Sequence, residues 1–158
     1  MTFEEIFERY WQKVFRLCMG YLNDAAWAKD VAQETFITVF QQLPKFRKEA
    51  AIGTWIFRIA SNQCLRQIEK QQRMPKSELP FELADSVPVS FEKEVQFLYQ
   101  SISELAEVDR IIISLELEDI KQAEIARIVG LSEANIRVKI HRIKKTLAQK
   151  FKQYESER

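Results

Sequence analysis

One histidine, His141, two cysteines, Cys18 and Cys64, and three glycines are the sparse material for bond-making chemistry in this 158-residue chain. Covalent or acid–base catalysis needs a nucleophile and a base in register. A metal site needs clustered ligands, and a phosphate-cradling loop needs glycines in series. None of these patterns occurs in the sequence, so no catalytic residue, metal or cofactor is expected, and the chain does not read as an enzyme. Cys18 and Cys64 stand in helical patterns without C-x-x-C spacing, which suits two reduced core thiols better than a disulfide or a metal site. His141 reads as a polar surface residue or as a contact to a nucleobase.

Binding chemistry is better represented. The net charge of +1 conceals an uneven distribution. Residues 1–73 carry 11 Lys and Arg against 8 Asp and Glu, residues 74–100 carry 2 against 5, and residues 101–158 carry 11 against 10. Within the last part, 104–124 is net −5 and 127–152 is net +7. A basic stripe on one late helix is the footprint of a phosphate-binding surface, although such a run is also compatible with an ordinary solvated face.

The elements that must position these groups are helices. Only 3 Gly and 4 Pro are present, and apolar residues recur at helical spacing. A first helix is expected over 3–22, with Thr2 and Glu5 as a capping box. A second is expected over 24–43, ended by Pro44, and a third over 55–73, capped by Thr54. Residues 74–90 hold three of the four prolines and read as an acidic extended linker. Further helices are expected over 90–103 (capped by Ser90), 108–117, 122–129 (ended by Gly130) and, after the cap Ser132, to about 154. The expected fold class is all-α, two small helical domains over 1–73 and 91–158 joined by the linker 74–90. No apolar run is long enough for a membrane span, and MTFEEIFERYWQK lacks a secretory pattern, so a cytoplasmic protein without membrane insertion is expected.

On the last helix, Ile136, Ile140, Ile143, Leu147 and Phe151 fall on one arc. Ala134, Arg137, Val138, His141, Arg142 and Lys145 point the other way. A short helix, a Gly turn and a capped second helix with this outward face have the form of a helix-turn-helix whose second helix suits a major groove. A plain helical hairpin remains the alternative. On the second helix, Ala28, Val31, Ala32, Phe36, Val39, Phe40 and Leu43 form the expected buried arc. The opposite face carries Asp30, Gln33, Glu34, Ile37 and Gln41, an exposed Ile among acids and amides suited to a partner surface.

Together these residues carry a resemblance. The run Asp30-Val31-Ala32-Gln33-Glu34-Thr35-Phe36, the basic loop from Lys45 to Ala50, and Thr54-Trp55-Ile56-Phe57-Arg58-Ile59-Ala60-Ser61-Asn62 resemble the sigma-two domain of extracytoplasmic-function sigma factors. Residues 104–149 resemble the sigma-four domain. The resemblance implies a specificity subunit that binds core RNA polymerase and directs initiation at promoters. It implies docking of Asp30, Gln33, Glu34, Ile37 and Gln41 on the clamp helices of the largest subunit, with a second contact at the flap region. It implies recognition of a single-stranded −10 element by Lys45, Phe46, Arg47, Lys48, Thr54, Trp55, Arg58 and Asn62. Trp55 and Phe57 could instead be core residues. For the −35 duplex it implies Ser132, Asn135, Arg137, Val138, His141, Arg142 and Lys145. An anti-sigma factor or another DNA-bound recruiting partner is a further implied partner.

After Asn62 the chain has three bases among several glutamines, a thin phosphate-binding set, and Glu133 opens the recognition helix. With its small excess of bases, the chain is expected to be a weak promoter finder without help. A stand-alone helix-turn-helix regulator or a helical adaptor are the rival readings, and neither accounts for the second-helix and T-W motifs occurring in this order.

Overall fold

A computed structural model describes residues 1–48, 50–70 and 91–157, all in helices and their connections. The expected linker, the Ser90 cap and the last turn of the third helix lie outside the described residues. Helix α1 (Phe3–Leu22) begins as expected, with the Thr2 hydroxyl accepting the Glu5 N–H at 3.2 Å. It ends at Asn23, whose left-handed backbone (φ 51) returns its N–H to the Met19 carbonyl. Asp24 then caps α2 (Ala25–Gln42) by accepting the Trp27 N–H at 2.9 Å. Pro44 does not stop the chain abruptly; it sits in a 3-10 turn, Leu43–Lys45, where its missing N–H is tolerated.

Helix α3 (Ile52–Lys70) starts earlier than the sequence suggests. The Trp55 N–H bonds to the Ala51 carbonyl, so Thr54 lies inside the first turn and is not the cap. Helix α4 (Lys93–Ser103) has Glu92 at its cap position, two residues beyond Ser90. Helices α5 (Glu107–Leu117), α6 (Gln122–Val129) and α7 (Glu133–Ser156) complete the chain.

Packing explains the order. One side of α1 presents Phe3, Phe7, Trp11 and Phe15. Phe36 of α2 meets Phe7 edge-on at 5.1 Å and Trp11 at 5.9 Å. Helix α3 closes this bundle with Ile56, Phe57, Ala60 and Cys64, all essentially inaccessible, which settles Phe57 as core. The C-terminal helices do not stand apart. Helix α5 buries Ile111, Ile112, Ile113 and Leu115 between α1 and α7, and one contiguous core runs from Phe3 to Leu147. Cys18 and Cys64 are buried free thiols with sulfurs 3.8 Å apart; the neighbouring sulfur and burial hold Cys18 well above the usual thiol range, so it is protonated and inert at neutral pH.

Two expectations about α2 are corrected. Ile37 is only 9% exposed, whereas Phe40 is 46% exposed. Helix α2 lies between α1 and α3, so more of its circumference is covered than on a helix packed along one side. Phe40 meets Phe3, at the start of α1, edge-on with ring centroids 5.1 Å apart. The exposed apolar residue on this helix is Phe40, not Ile37.

Candidate nucleic-acid interface

The helix-turn-helix is built by local rules. Gly130 ends α6 in the left-handed region (φ 76), allowing the N–H groups of Gly130 and Leu131 to reach the Ala126 carbonyl. Ser132 then caps α7, its hydroxyl accepting the Asn135 N–H at 3.1 Å. Gly130→Ala is expected to cost about 1–2 kcal/mol through backbone strain alone, because nothing lies within 4 Å of an added Cβ. Thermal melting checks this, and an unchanged midpoint contradicts it.

Ile136, Ile140, Ile143 and Leu147 turn inward from α7. Phe151 is half-buried and meets Phe97 edge-on at 4.9 Å. Ser132, Asn135, Arg137, Val138, His141, Arg142 and Lys145 are all exposed, Val138 at 54%. The basic stripe divides in two. Lys139 pairs with Asp109 at 3.6 Å, Lys144 with Glu116 at 2.7 Å and Lys150 with Glu104 at 2.7 Å, while Arg127 reaches Glu124 at 3.5 Å. The acidic stretch 104–124 therefore neutralises one flank of the stripe. Arg137, Arg142, Lys145 and Lys152 have no carboxylate partner among the described residues. The unneutralised bases of α7 include the three on the outward face.

In the first half, Lys45, Arg47, Lys48 and Asn62 are exposed, and Arg58 is half-buried. Phe46 stacks on Trp55 with ring centroids 4.7 Å apart and planes at 28°. Lys48 holds a left-handed backbone (φ 59), turning the loop with a non-glycine residue. Thr54 departs from the expected group. It is 6% exposed, and its hydroxyl donates to the Glu124 carboxylate of α6 at 2.8 Å. The glutamines of α3 point inward: Gln67 is buried and accepts the Trp27 indole N–H at 2.9 Å, and Gln63 donates to Thr38 at 3.3 Å. On α2, Asp30, Gln33 and Glu34 are half-buried and Gln41 is exposed.

A sigma-70 region 2 model matches residues 6–74, and a sigma-70 region 4 model matches 98–147. The chain belongs to the sigma-70 family, in its extracytoplasmic-function group. This sigma factor is 24% identical to the ECF sigma factor SigW of Bacillus subtilis, over 96% of this chain and 89% of that one. It is 28% identical to the ECF sigma-E factor of Escherichia coli K12, over 94% and 86%. Its fold is similar to that of the sigma factor RpoE in a complex with the anti-sigma factor NepR from Bartonella quintana, with TM-score 0.76, 16% identity and coverage of 95% and 96%. It is also similar to CnrH in complex with the cytosolic domain of CnrY, with TM-score 0.69, 17% identity and coverage of 96% and 88%. As a sigma factor it serves transcription initiation, and sigma factors are regulatory proteins. Among the described residues, no helix is long and apolar enough to cross a membrane.

Sequence alone missed the contacts between the two halves. Arg16 of α1 grips Glu118 with two bonds of 2.7 Å, from Nε and Nη2. Arg110 of α5 donates to the Tyr21 carbonyl at 3.0 Å and lies 5.0 Å over its ring. Gly20 lets α5 approach α1: a Cβ there would come within 3.1 Å of the Ser114 Cβ. An isolated glycine inside an apolar helical pattern is a signal for such close approach.

Proposed function

We propose that this sigma factor docks on core RNA polymerase through the polar face of α2 and reads two promoter elements. The domains it uses are 1–73 and 91–158, joined by 74–90. The observation that carries the reading is the division of charge on α7. Bases on one flank are held by acids of the same half, whereas Arg137, Arg142 and Lys145 stand exposed beside Val138 and His141. On that face an Arg can bridge the two acceptors of a guanine, Val138 can meet a thymine methyl, and Lys145 can hold a phosphate. In the first half, the Phe46–Trp55 pair offers a stacking platform for an unpaired base, with Lys45, Arg47 and Lys48 placed to hold the backbone. Gln41 and the carboxylates Asp30 and Glu34 give the docking face its polar character, and Phe40 supplies its exposed apolar contact. An anti-sigma partner fits the same reading, since both solved neighbours are bound to such proteins or to a cytosolic domain.

The test is run-off transcription with purified core polymerase over a promoter library, paired with co-purification of the polymerase. Selective initiation dependent on this chain supports the reading; polymerase association without any promoter selection contradicts it. Arg137→Ala is expected to lose about 1–3 kcal/mol at one base pair of the −35 element and to relax selection there. Lys145→Ala should weaken all sequences alike. Competition binding on a duplex library separates the two, and unchanged preference in Arg137→Ala would show that the recognition face is misplaced.

A further inference from the structure

Where the end of α1 meets α4 and the last turns of α7, the chain encloses a cleft of about 550 Å³. Small-molecule sites occupy roughly 300–1,000 Å³. None of the residues lining this cleft is among those assigned above to polymerase or promoter.

Three kinds of side chain meet in it. The first is aromatic. Phe97 stacks on Tyr154 with ring centroids 4.3 Å apart and planes at 18°, and Phe91 meets Tyr99 at 5.3 Å and 64°. Phe91, Phe97 and Tyr154 are only half-buried. Aromatic walls of this kind take up a planar ring by stacking. The second is a pair of amides. Asn23 Nδ2 donates to Gln100 Oε1 at 3.1 Å, and that bond uses one half of each group. Asn23 Oδ1 and Gln100 Nε2 have no partner among the described residues. Asn23 is held in place by the left-handed backbone (φ 51) that ends α1. One acceptor beside one donor matches the edge of a nucleobase, which carries both in neighbouring positions. The third is charge. Among the residues lining the cleft, Lys93 is the one with a charged side chain. It is exposed and opens α4, whose N-terminus carries no side-chain cap. Free N–H groups and an ammonium at the start of a helix favour an anion. Glu92 and Glu94 flank Lys93 in the chain but do not line the cleft.

We propose that this cleft is a binding site for a free mononucleotide. The base lies against the aromatic walls, its edge meets the Asn23–Gln100 pair, and the phosphate sits at Lys93 and the start of α4. Such a ligand touches α1, α4 and α7 together, so it stabilises the folded chain by mass action.

The test is titration calorimetry on the full chain with AMP, GMP, CMP and UMP in turn, with the nucleosides and ribose 5-phosphate as part-compounds. At least one mononucleotide is expected to bind one to one and to raise the melting temperature. Its nucleoside should bind several-fold more weakly, and ribose 5-phosphate more weakly still. Lys93→Ala should weaken the mononucleotide by up to about fivefold and leave the nucleoside unchanged. Gln100→Ala should weaken both by roughly fivefold. Gln100→Glu, which loses the donor and adds a negative charge, should weaken the mononucleotide further. Both positions are exposed on α4, and alanine favours a helix, so circular dichroism should match wild type. If Gln100→Ala nevertheless lost helix, the near-isosteric Gln100→Glu carries the test alone. No saturable binding at millimolar concentration would overturn the proposal. So would ribose 5-phosphate binding as tightly as the mononucleotides. Full affinity in the folded Gln100 variants would also overturn it, by placing the nucleotide on the basic face of α7 or on the Phe46–Trp55 pair instead.

Discussion

Phe36→Ala is expected to remove about 3–5 kcal/mol of stability. Phe36 is fully buried and sits at the middle of an aromatic ladder. Phe7 meets it edge-on at 5.1 Å, Trp11 lies at 5.9 Å, and Phe7 itself stacks on Trp11 at 5.1 Å. Truncation leaves a void between α1 and α2 that rigid rings cannot collapse to fill, and these ring contacts go beyond simple area burial. Since domains of this size are stable by roughly 5–15 kcal/mol, the variant should lose about a fifth or more of its stability and be close to unfolding at the low end of that range. Urea titration followed by circular dichroism gives the value. Phe36→Leu, which keeps most of the volume, should lose much less, and a loss below about 1 kcal/mol for the alanine would contradict the packing described.

Glu34→Arg combined with Gln33→Ala is expected to abolish association with core polymerase. Both residues are half-buried, and arginine and alanine are good helix formers, so helix content should stay unchanged. Reversing a charge at a complementary surface places like charges together, which costs several kcal/mol and exceeds a hundredfold in affinity. A pull-down with purified core polymerase, alongside circular dichroism, checks both halves of the expectation. Wild-type capture of the double variant would move the docking surface elsewhere, with exposed Phe40 the next position to substitute.

Local rules made most of the helices legible in the sequence. The Thr2 and Ser132 caps are side chains accepting a backbone N–H three residues on, and Gly130 supplies a backbone that other residues adopt only with strain. The outward face of α7 was legible because that helix is covered on one side only, so a simple wheel describes it. The wheel misplaced Ile37 and Phe40 because α2 has neighbours on two sides and its partner α1 begins at Phe3. Thr54 has the chemistry of a cap, but its hydroxyl serves a residue 70 positions away, and no local pattern encodes that. The same holds for Arg16 and Glu118, 102 positions apart. Composition showed an acidic stretch followed by a basic one; only the fold shows that the acids are divided between bases of α7 and a base of α1.

That division sets an ion stoichiometry for DNA binding. Each phosphate contacted by a base releases about one condensed cation, and the logarithm of the binding constant falls against the logarithm of salt concentration with a slope of about 0.9 per contact. Residues 127–152 contain eight bases, which would imply a slope near −7 if all of them met phosphate. Only Arg137, Arg142, Lys145 and Lys152 have no carboxylate partner among the described residues. If all four met phosphate the slope would be about −4, and shallower wherever an arginine is spent on a base edge instead. A recognition half built this way would attract bulk DNA weakly and would forfeit less of its grip as ionic strength rises than a module with eight phosphate contacts.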